Sequence, residues 1–280
     1  MLLKPFCIYL SHFKTKGRFN GNRPKVLWQM SSAVVIIPAR YGSKRFPGKP
    51  LALIKSKPMI QHVYEKASES KLASEVYAAV DDARVFDAVK AFGGKVIMTS
   101  SAHTSGTDRI AEAVQQIPWA NKVVNVQGDE PFIEPSMIDE VILLLNDPHA
   151  DMSSLARKIS DPESLTEPNI VKVVWDDEGF ALYFSRSPIP YYRDEWADSI
   201  VLHEGIACYQ HVGIYGYKRQ SLLKLTSIAP HPLELAESLE QLRALASGMK
   251  IKMKETSYET LGIDDSEDIE KAEEWLSSSL

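Results

Sequence analysis

Short apolar runs of strand length alternate with amphipathic stretches of helix length through the first half of this 280-residue chain. The apolar runs predict strands at residues 34–37, 75–80, 95–98 and 122–126. The amphipathic stretches predict helices at residues 59–70, 82–92, 106–116 and 135–145. This βαβα order predicts an α/β fold, in which a mostly parallel sheet is flanked by helices on both faces.

The pattern becomes richer in strands after residue 150. Strands are predicted at 152–158, 211–217 and 250–255, and a hairpin at 171–176 and 180–185 around the turn Asp177-Glu178-Gly179. A loop-like segment spans 188–209. Helices are predicted at 232–247, with Leu235, Leu239, Leu242 and Ala246 on one face, and from about 262–268 through Trp275. We therefore expect a single domain over residues 31–280, with a smaller β-rich subdomain inserted at about 150–220.

Residues 1–30 differ in composition from the rest of the chain. They contain six lysines and arginines and no acid, and they lack the long apolar core of a secretory signal. A transit peptide and a misassigned start upstream of Met30 are the two explanations, of which we favour the second. We expect this N-terminal extension to be poorly packed.

The overall composition excludes several classes of protein. A pI near 5.9 argues against nucleic acid as a partner. No apolar run reaches the roughly 18 residues of a membrane span, so we expect no membrane insertion. Cys7 and Cys208 are the only cysteines, too few for a disulfide framework or a structural zinc site. We expect a cytoplasmic enzyme or binding protein.

A basic loop follows the first predicted strand. Its cations are Arg40, Lys44, Arg45 and Lys49. The first 64 residues hold 12 lysines and arginines and no acid, although the chain carries a net charge of -5. Because ligands bind open α/β sheets at the carboxyl ends of strands, the loop predicts a polyphosphate site. Five residues separate Gly42 from Gly48, so the Walker pattern is not met, and a solvated basic turn is the alternative.

A carboxylate follows a second buried strand. Asp129 comes directly after the strand at 122–126 and the turn Gln127-Gly128, so it is predicted to lie at the same sheet edge as the basic loop. An aspartate there can hold Mg²⁺ together with phosphate oxygens. The alternative is an ordinary turn residue, and we interpret the neighbouring Glu130 as structural rather than catalytic.

Two further polar segments each allow two interpretations. Asp264 lies in Leu261–Asp268, which first indicates the start of a helix, and it gains a metal role only if it converges on Asp129. Residues 103–109, with Ser105 and Arg109, indicate either helix capping or nucleotide contact.

The second half of the chain offers candidate substrate ligands. On a strand, His211, Tyr215 and Tyr217 share one face and can point at one ligand, although a lone histidine is more often structural. Arg186 suits a carboxylate, which it can bind through two hydrogen bonds, unless it only ties the hairpin to the core. Glu240 and Gln241 can bind hydroxyl groups, although such residues are usually solvated.

Taken together these motifs resemble one family. The segments 34–50, 103–109, 125–131, 171–190, 211–217, 232–243 and 262–268 are similar to those of the 3-deoxy-manno-octulosonate cytidylyltransferases, or CMP-Kdo synthetases. The resemblance covers residues 31–275. It implies a Rossmann-like nucleotidyltransferase fold, a homodimer, a requirement for Mg²⁺, and the coupling of CTP to Kdo (3-deoxy-D-manno-octulosonate) for lipopolysaccharide biosynthesis, with release of pyrophosphate.

The resemblance also implies roles for individual residues. The catalytic pair is Lys49 and Asp129. The nucleotide side comprises Ala39, Arg40, Arg45, Lys49, Ser105 and Arg109. The metal ligands are Asp129 and Asp264, and the sugar site comprises Arg186, His211, Tyr215, Glu240 and Gln241. Lys44 and Ala102 depart from the family pattern, in which a small hydroxyl residue and an aspartate are common at these positions.

Two competing functions are left open by the sequence. One is a nucleotidyltransferase for a different nine-carbon or amino-substituted sugar acid, which the sequence does not separate from a Kdo enzyme. The other is a non-catalytic nucleotide-binding regulator, against which the presence of Lys49, Asp129 and Asp264 argues.

Overall fold

Strands and helices alternate along the described part of the chain, as the sequence predicts. The computed structural model describes residues 32–42, 46–193, 196, 202, 207–259, 262–263 and 265–278. The strands are β1 (Ala33–Ala39), β2 (Leu53–Ile54), β3 (Lys57–Pro58), β4 (Glu75–Val80), β5 (Val96–Met98), β6 (Lys122–Asn125), β7 (Met152–Lys158), β8 (Lys172–Trp175), β9 (Ala181–Ser185), β10 (Tyr209–Lys218) and β11 (Ile251–Glu255). The helices are α1 (Met59–Ser68), α2 (Ala83–Ala91), α3 (Gly106–Gln115), α4 (Pro135–Leu144), α5 (Pro162–Thr166), α6 (Arg219–Ser227), α7 (Pro232–Glu237), α8 (Gln241–Ala246) and α9 (Asp268–Ser278).

The central sheet has the strand order β11-β7-β10-β6-β1-β4-β5. β10 pairs antiparallel with both of its neighbours on this path, β6 and β7, and the other pairs along it are parallel. From β1 the chain goes on to β4 on one side, and from β6 it goes on to β7 on the other side. The edge where β1 and β6 end is therefore the topological switch point, at which open α/β sheets bind ligands.

Helices cover both faces of this sheet. On one face α1, α2 and α4 pack against the strands through side chains such as Val63, Val85 and Met137. On the other face α3, α6 and α8 do so through side chains such as Ile110 and Leu222. The predicted doubly covered α/β sheet is thus confirmed, because each helix buries one apolar stripe against the strands.

The predicted hairpin is also confirmed, as β8 and β9. Gly179 has a φ of 80°, which favours glycine, and the Asp176 side chain accepts the Phe180 N–H at 2.8 Å. β8 pairs with β10 and so joins the hairpin to the central sheet. The predicted loop at 188–209 ends where β10 begins at Tyr209, and part of it lies outside the described residues.

The prediction of one continuous helix over 232–247 is wrong. Ser238 has a left-handed backbone with a φ of 52°, and it separates α7 from α8. Glu234 and Arg243 close this break through two hydrogen bonds of 2.8 and 2.5 Å, and both residues are almost fully buried. Because the axis changes direction, Leu235 is 66% exposed, whereas Leu242 is buried. An ion pair across the break at Ser238 therefore stabilises an arrangement that departs from the helical periodicity.

The strands between residues 150 and 220 are shared between two parts of the fold. β7 and β10 are members of the central sheet, whereas the β8–β9 hairpin branches from it. All the described residues belong to one compact unit, Ser31–Leu280. The predicted boundaries of the insertion stay a prediction, and the N-terminal extension lies outside the described residues. No described helix has both the length and the apolar content needed to cross a bilayer.

Candidate active site

A cleft of about 480 Å³ opens at the switch point, where β1 and β6 end. This volume lies in the range of small-molecule sites. Residues 38–40, 49–50, 103–106, 109 and 127–129 line it. Six predicted site residues are among them, namely Ala39, Arg40, Lys49, Ser105, Arg109 and Asp129. Four segments that are far apart in sequence therefore meet here, and Arg45 lies outside the described residues.

Lys49 and Asp129 face each other in this cleft. The Lys49 Nζ lies 2.6 Å from the Asp129 Oδ2. The lysine side chain is 12% exposed and the aspartate side chain is 37% exposed, so the carboxylate is open to an incoming ligand. Lys49 begins a short 3-10 turn directly after Gly48. The arrangement places one cation and one accessible carboxylate side by side, and the carboxylate is a ligand type that Mg²⁺ takes together with phosphate oxygens.

The two ends of the basic loop are held together at Tyr41. The Tyr41 N–H donates to the Asp81 Oδ1 at 3.0 Å, and the Gly48 N–H donates to the Tyr41 carbonyl at 2.9 Å. Arg84 lies 3.5 Å from the centre of the Tyr41 ring. Gly48 has a φ of 75°, and a Cβ there would meet the same ring at 3.3 Å. The backbone next to Arg40 and Lys49, which flank these ends, is thereby held in place.

Arg109 binds the same Asp81 carboxylate that accepts the Tyr41 N–H. It is 2% exposed, and its Nη2 donates to the Asp81 Oδ2 at 2.8 Å while its Nη1 donates to the Thr99 hydroxyl at 2.7 Å. The Asp81 carboxylate thus links the guanidinium to the backbone of Tyr41. Arg109 lines the cleft, but both of its terminal nitrogens already donate to the protein, and its predicted contact with the nucleotide stays a prediction.

The N-terminus of α3 forms another wall of the cleft. The Ser105 hydroxyl accepts the Asp108 N–H at 3.0 Å, which confirms the capping interpretation of this segment. A Cβ on Gly106 would lie 3.2 Å from the Pro38 Cγ, and a Cβ on Gly128 would lie 2.9 Å from the Pro38 carbonyl oxygen. The two glycines therefore let α3 and the β6 loop approach the end of β1 closely.

A main-chain hydrogen bond joins Ile263, the residue before Asp264, to Asp129. The N–H of Ile263, which is fully buried, donates to the main-chain carbonyl of Asp129 at 2.9 Å. Asp264 itself lies outside the described residues, so its metal role stays a prediction. Within the described ranges, no group of three His, Cys, Asp or Glu side chains that could hold a metal is found. A metal here would take one or two carboxylates and otherwise phosphate and water oxygens, which is the pattern of Mg²⁺.

Glu130, next to Asp129 in the chain, has a carboxyl group with a raised pKa and a buried oxygen. Burial, and secondly the charge of Asp129, raise its pKa to about 7. Its Oε2 is buried without a hydrogen-bond partner among the described residues. The interpretation of Glu130 as structural stays a prediction.

Glu240 connects the second half of the chain to the cleft. The Thr107 hydroxyl, one residue beyond the lining residue Gly106, donates to its carboxylate. The Arg243 Nη2 lies 3.6 Å from the Glu240 Oε1. Burial raises the pKa of Glu240. Gln241, next in the chain, is 6% exposed. Two predicted sugar ligands therefore lie beside α3, whose N-terminus lines the cleft.

His211 and Tyr215 lie on one face of β10, as the strand alternation predicts. Their ring centres are 5.1 Å apart, and Tyr215 is 6.1 Å from Tyr217. The register with β7 shifts between Val212 and Tyr215, where three residue steps along β10 correspond to one step along β7. Because two residues are extra, the bulge keeps both rings on the same face.

Arg186 lies in a different set of contacts. Its Nε donates to the Glu237 carbonyl at 2.6 Å and its Nη1 donates to the Pro168 carbonyl at 2.8 Å. Its backbone N–H and the Ser185 hydroxyl donate to the Glu237 carboxylate. The guanidinium therefore ties β9 to α7, in agreement with the structural alternative, and its binding of a substrate carboxylate stays a prediction.

The sequence analysis missed Asp81, Thr107 and Ser154 as parts of this site. Asp81 directly follows β4, so the strand-end argument that identified Asp129 applies to it as well. Ser154 contacts His211 from within β7. No sequence signal marks Ser154, because its partner is 57 residues away.

Comparison with known proteins identifies the family. The family model described as Cytidylyltransferase matches residues 34–251. A 3-deoxy-manno-octulosonate cytidylyltransferase from Geobacter metallireducens is 53% identical over 246 residues, which cover 86% of this chain and 96% of the relative. One from Thermodesulfovibrio yellowstonii is 49% identical over 252 residues, covering 88% and 98%.

Solved structures give the same result. The structure of a CMP:2-keto-3-deoxy-manno-octonic acid synthetase complexed with CTP superimposes with a TM-score of 0.81 at 44% identity, covering 89% of this chain and 99% of that one. A cytidylyltransferase from Leptospira borgpetersenii, at 18% identity and a TM-score of 0.59, shares the fold. The chain therefore belongs to the cytidylyltransferase family, among its 3-deoxy-manno-octulosonate cytidylyltransferases.

Proposed function

We propose that this protein transfers the cytidylyl group of CTP to Kdo, giving CMP-Kdo and pyrophosphate. The observation that carries the proposal is the cleft at the switch point, in which Lys49 lies 2.6 Å from an accessible Asp129. The family relationship supports it, because close relatives are named for this reaction. The product serves lipopolysaccharide biosynthesis, as the relatives' substrate implies.

The reaction is an in-line displacement at phosphorus. The anomeric hydroxyl of Kdo attacks the α-phosphorus of CTP, the bond from that phosphorus to the bridging oxygen breaks, and pyrophosphate leaves. The hydroxyl proton passes to solvent, and no side chain is assigned as its base. The protein's part is to position the two substrates and to neutralise charge.

Each residue of the cleft has a part in this. Lys49 and Arg40 bind phosphate oxygens, and the Asp81 clamp on Tyr41 keeps them in place. Ser105 and the N-terminus of α3, which line the cleft, contact the nucleotide in this proposal. Glu240, Gln241, His211, Tyr215 and Arg186 hold the sugar acid. Arg45 and Asp264 join the phosphate and metal ligands, respectively, as the family resemblance implies.

The enzyme class is metal-assisted, and the donors present fit Mg²⁺. Asp129, with Asp264 as its proposed partner, would hold the ion. When bound, the ion would neutralise phosphate charge and lower the pKa of the attacking hydroxyl. Lys49 would then move its interaction from Asp129 toward the phosphates.

The test is release of pyrophosphate from CTP with and without Kdo. We expect release that needs Kdo, CTP and Mg²⁺ together, and that falls strongly when UTP replaces CTP. A panel of eight- and nine-carbon sugar acids, including an amino-substituted Kdo analogue, identifies the preferred acceptor. A preference for another sugar acid would contradict the acceptor, and CTP binding without any turnover would indicate a regulator.

We also propose that the enzyme is a cytoplasmic homodimer. The family resemblance supports this proposal, and Leu182 on β9 and Leu235 on α7, which are 61% and 66% exposed, are apolar side chains that a second copy would cover. Light scattering of the purified full-length chain is expected to give twice the monomer mass of 31.4 kDa.

Arg186→Ala is expected to raise the KM for Kdo while leaving the KM for CTP almost unchanged. A hydrogen bond to a charged partner contributes roughly 1.5–3 kcal/mol, about 10- to 150-fold in affinity. The matched control is Glu237→Ala, which weakens the same tie between β9 and α7 but keeps the guanidinium. If both variants lower the Tm and change both KM values alike, Arg186 is only structural.

A further inference from the structure

A buried hydroxyl lies behind the predicted sugar ligand His211. Ser154 on β7 is fully buried, opposite the bulge in β10. Its Oγ is 2.9 Å from the His211 Nε2, 2.7 Å from the Ile214 carbonyl oxygen and 3.2 Å from the Val212 carbonyl oxygen. One hydroxyl group therefore serves three partners, two of which belong to the bulge.

The hydrogen count decides which atom donates to which. A serine hydroxyl has one proton, and a carbonyl oxygen can only accept. If Ser154 gave its proton to the imidazole, its lone pairs would face the Ile214 oxygen at 2.7 Å with no hydrogen between them. Ser154 therefore donates to the bulge carbonyls, and the His211 Nε2 carries the hydrogen and donates to Ser154. The other ring nitrogen, Nδ1, is left as an acceptor.

The surroundings keep the ring neutral and fixed. Burial lowers the pKa of His211 to about 3, so the imidazole is uncharged at neutral pH. Phe184 packs edge-on against the imidazole, with ring centres 5.1 Å apart. The ring of Tyr215, on the same strand as His211, also lies with its centre 5.1 Å from that of the imidazole. Among the residues that the structure describes, none hydrogen-bonds to Nδ1.

The ring lies at the active-site edge of the sheet. Tyr215 pairs with Asn125 at the end of β6, and β10 runs antiparallel to β6. The residues from 214 back to His211 therefore extend past the end of β6, beyond which Asp129 lies. In agreement, a Cβ on Gly213 would be 3.7 Å from the Glu130 Oε1.

We propose that Ser154 is a positioning residue that fixes His211 as the Nε2–H tautomer, so that Nδ1 accepts a hydrogen bond from a hydroxyl group of the sugar acid. This inference rests on the proposed function. Ser154 acts through the imidazole and does not itself touch substrate. It also caps the two carbonyls of the bulge, so one side chain sets both the position of the ring and its hydrogen-bonding polarity.

The first test does not depend on activity. In the ¹⁵N–¹H correlation spectrum of the ligand-free protein, the His211 imidazole, assigned by its loss in His211→Gln, is expected to show a protonated Nε2 and a bare Nδ1. In Ser154→Ala the population of this tautomer is expected to fall. A wild-type ring protonated at Nδ1 would overturn the proposal, even if Ser154→Ala failed to fold.

The second test uses the neighbouring serine as a control. Ser153 is equally buried, and its hydroxyl donates to the Val141 carbonyl at 2.8 Å, so Ser153→Ala removes a comparable hydrogen bond. Ser154→Ala is expected to raise the KM for Kdo by about 5- to 10-fold, as expected for one neutral hydrogen bond, with the KM for CTP unchanged. Ser153→Ala is expected to lower the Tm similarly without this selectivity.

The outcomes separate the inference from the proposed function. If wild-type enzyme does not use Kdo, the proposed function fails, while the tautomer measurement still stands. If wild-type enzyme uses Kdo and the two alanine variants have equal KM values for it, Ser154 has no positioning role.

Discussion

Asp129→Asn is expected to keep its fold and to lose turnover by about 10³-fold, the upper end of the loss when one preorganised electrostatic group is removed. The substitution preserves the size of the side chain and removes only its charge. The contact with Ile263 uses the main-chain carbonyl of residue 129, so the backbone of the β6 loop is unaffected. The lost property is the anionic oxygen beside Lys49, which the proposed Mg²⁺ would share.

The measurement is kcat as a function of Mg²⁺ concentration, together with the Tm. The control is Asp161→Asn, because Asp161 caps α5, away from the cleft-lining segments, and asparagine is an equally good cap. That control is expected to behave like wild type. Near-normal turnover of Asp129→Asn at saturating Mg²⁺ would remove Asp129 from the catalytic pair.

The central elements of the fold could be predicted from sequence because they depend on local apolar patterns. β4 and β7 have the bounds that the pattern predicts, and most other elements of the central sheet differ by one or two residues. The prediction of one helix at 232–247 failed because the break depends on a contact within the segment that apolar spacing does not encode. The pair Glu234–Arg243 and the turn at Ser238 redirect the chain, whereas the apolar spacing alone favours one continuous helix.

The site residues also fall into a group that the sequence predicts and a group that depends on contacts between distant parts of the chain. Lys49 and Asp129 were predictable, because residues that follow buried parallel strands meet at one sheet edge. The 2.6 Å distance between the Lys49 Nζ and the Asp129 Oδ2, and the unequal exposure of the two side chains, could not be predicted. The roles of Asp81 and Ser154 depend on partners 40 and 57 residues away, Tyr41 and His211. Such contacts leave no periodic trace in the chain, so the strand-end position of Asp81 could be predicted from the sequence but its partner could not, and no sequence signal marked Ser154.

Lys49→Met is expected to lower kcat/KM for CTP by about 10²-fold or more, since one fixed charge is lost from a partly dry site. Methionine keeps most of the aliphatic stem, which is largely buried in the native protein. The ammonium group balances Asp129 in the free enzyme and is proposed to bind phosphate oxygens in the complex. The change therefore removes an interaction that stabilises the transition state, so we expect KM for CTP to rise and kcat to fall.

The matched control for this variant is Lys57→Met. Lys57 belongs to the same acid-free N-terminal part of the chain, but its Nζ pairs with Glu65 at 2.8 Å in an exposed position. An exposed pair of this kind contributes at most about 1 kcal/mol, so this control should retain activity. Equal losses in the two variants would mean that only general positive charge matters.

The double variant Lys49→Met/Asp129→Asn separates a shared role from two independent ones. Groups in direct contact couple, so their effects on activation free energy do not add. In the free enzyme the two residues are 2.6 Å apart, but in the proposed complex Lys49 binds phosphate oxygens while Asp129 holds the metal, so we expect the two losses nearly to multiply in the double variant. A double variant little worse than Asp129→Asn alone would instead mean that the two residues act only as a pair, and it would contradict the separate roles proposed for them.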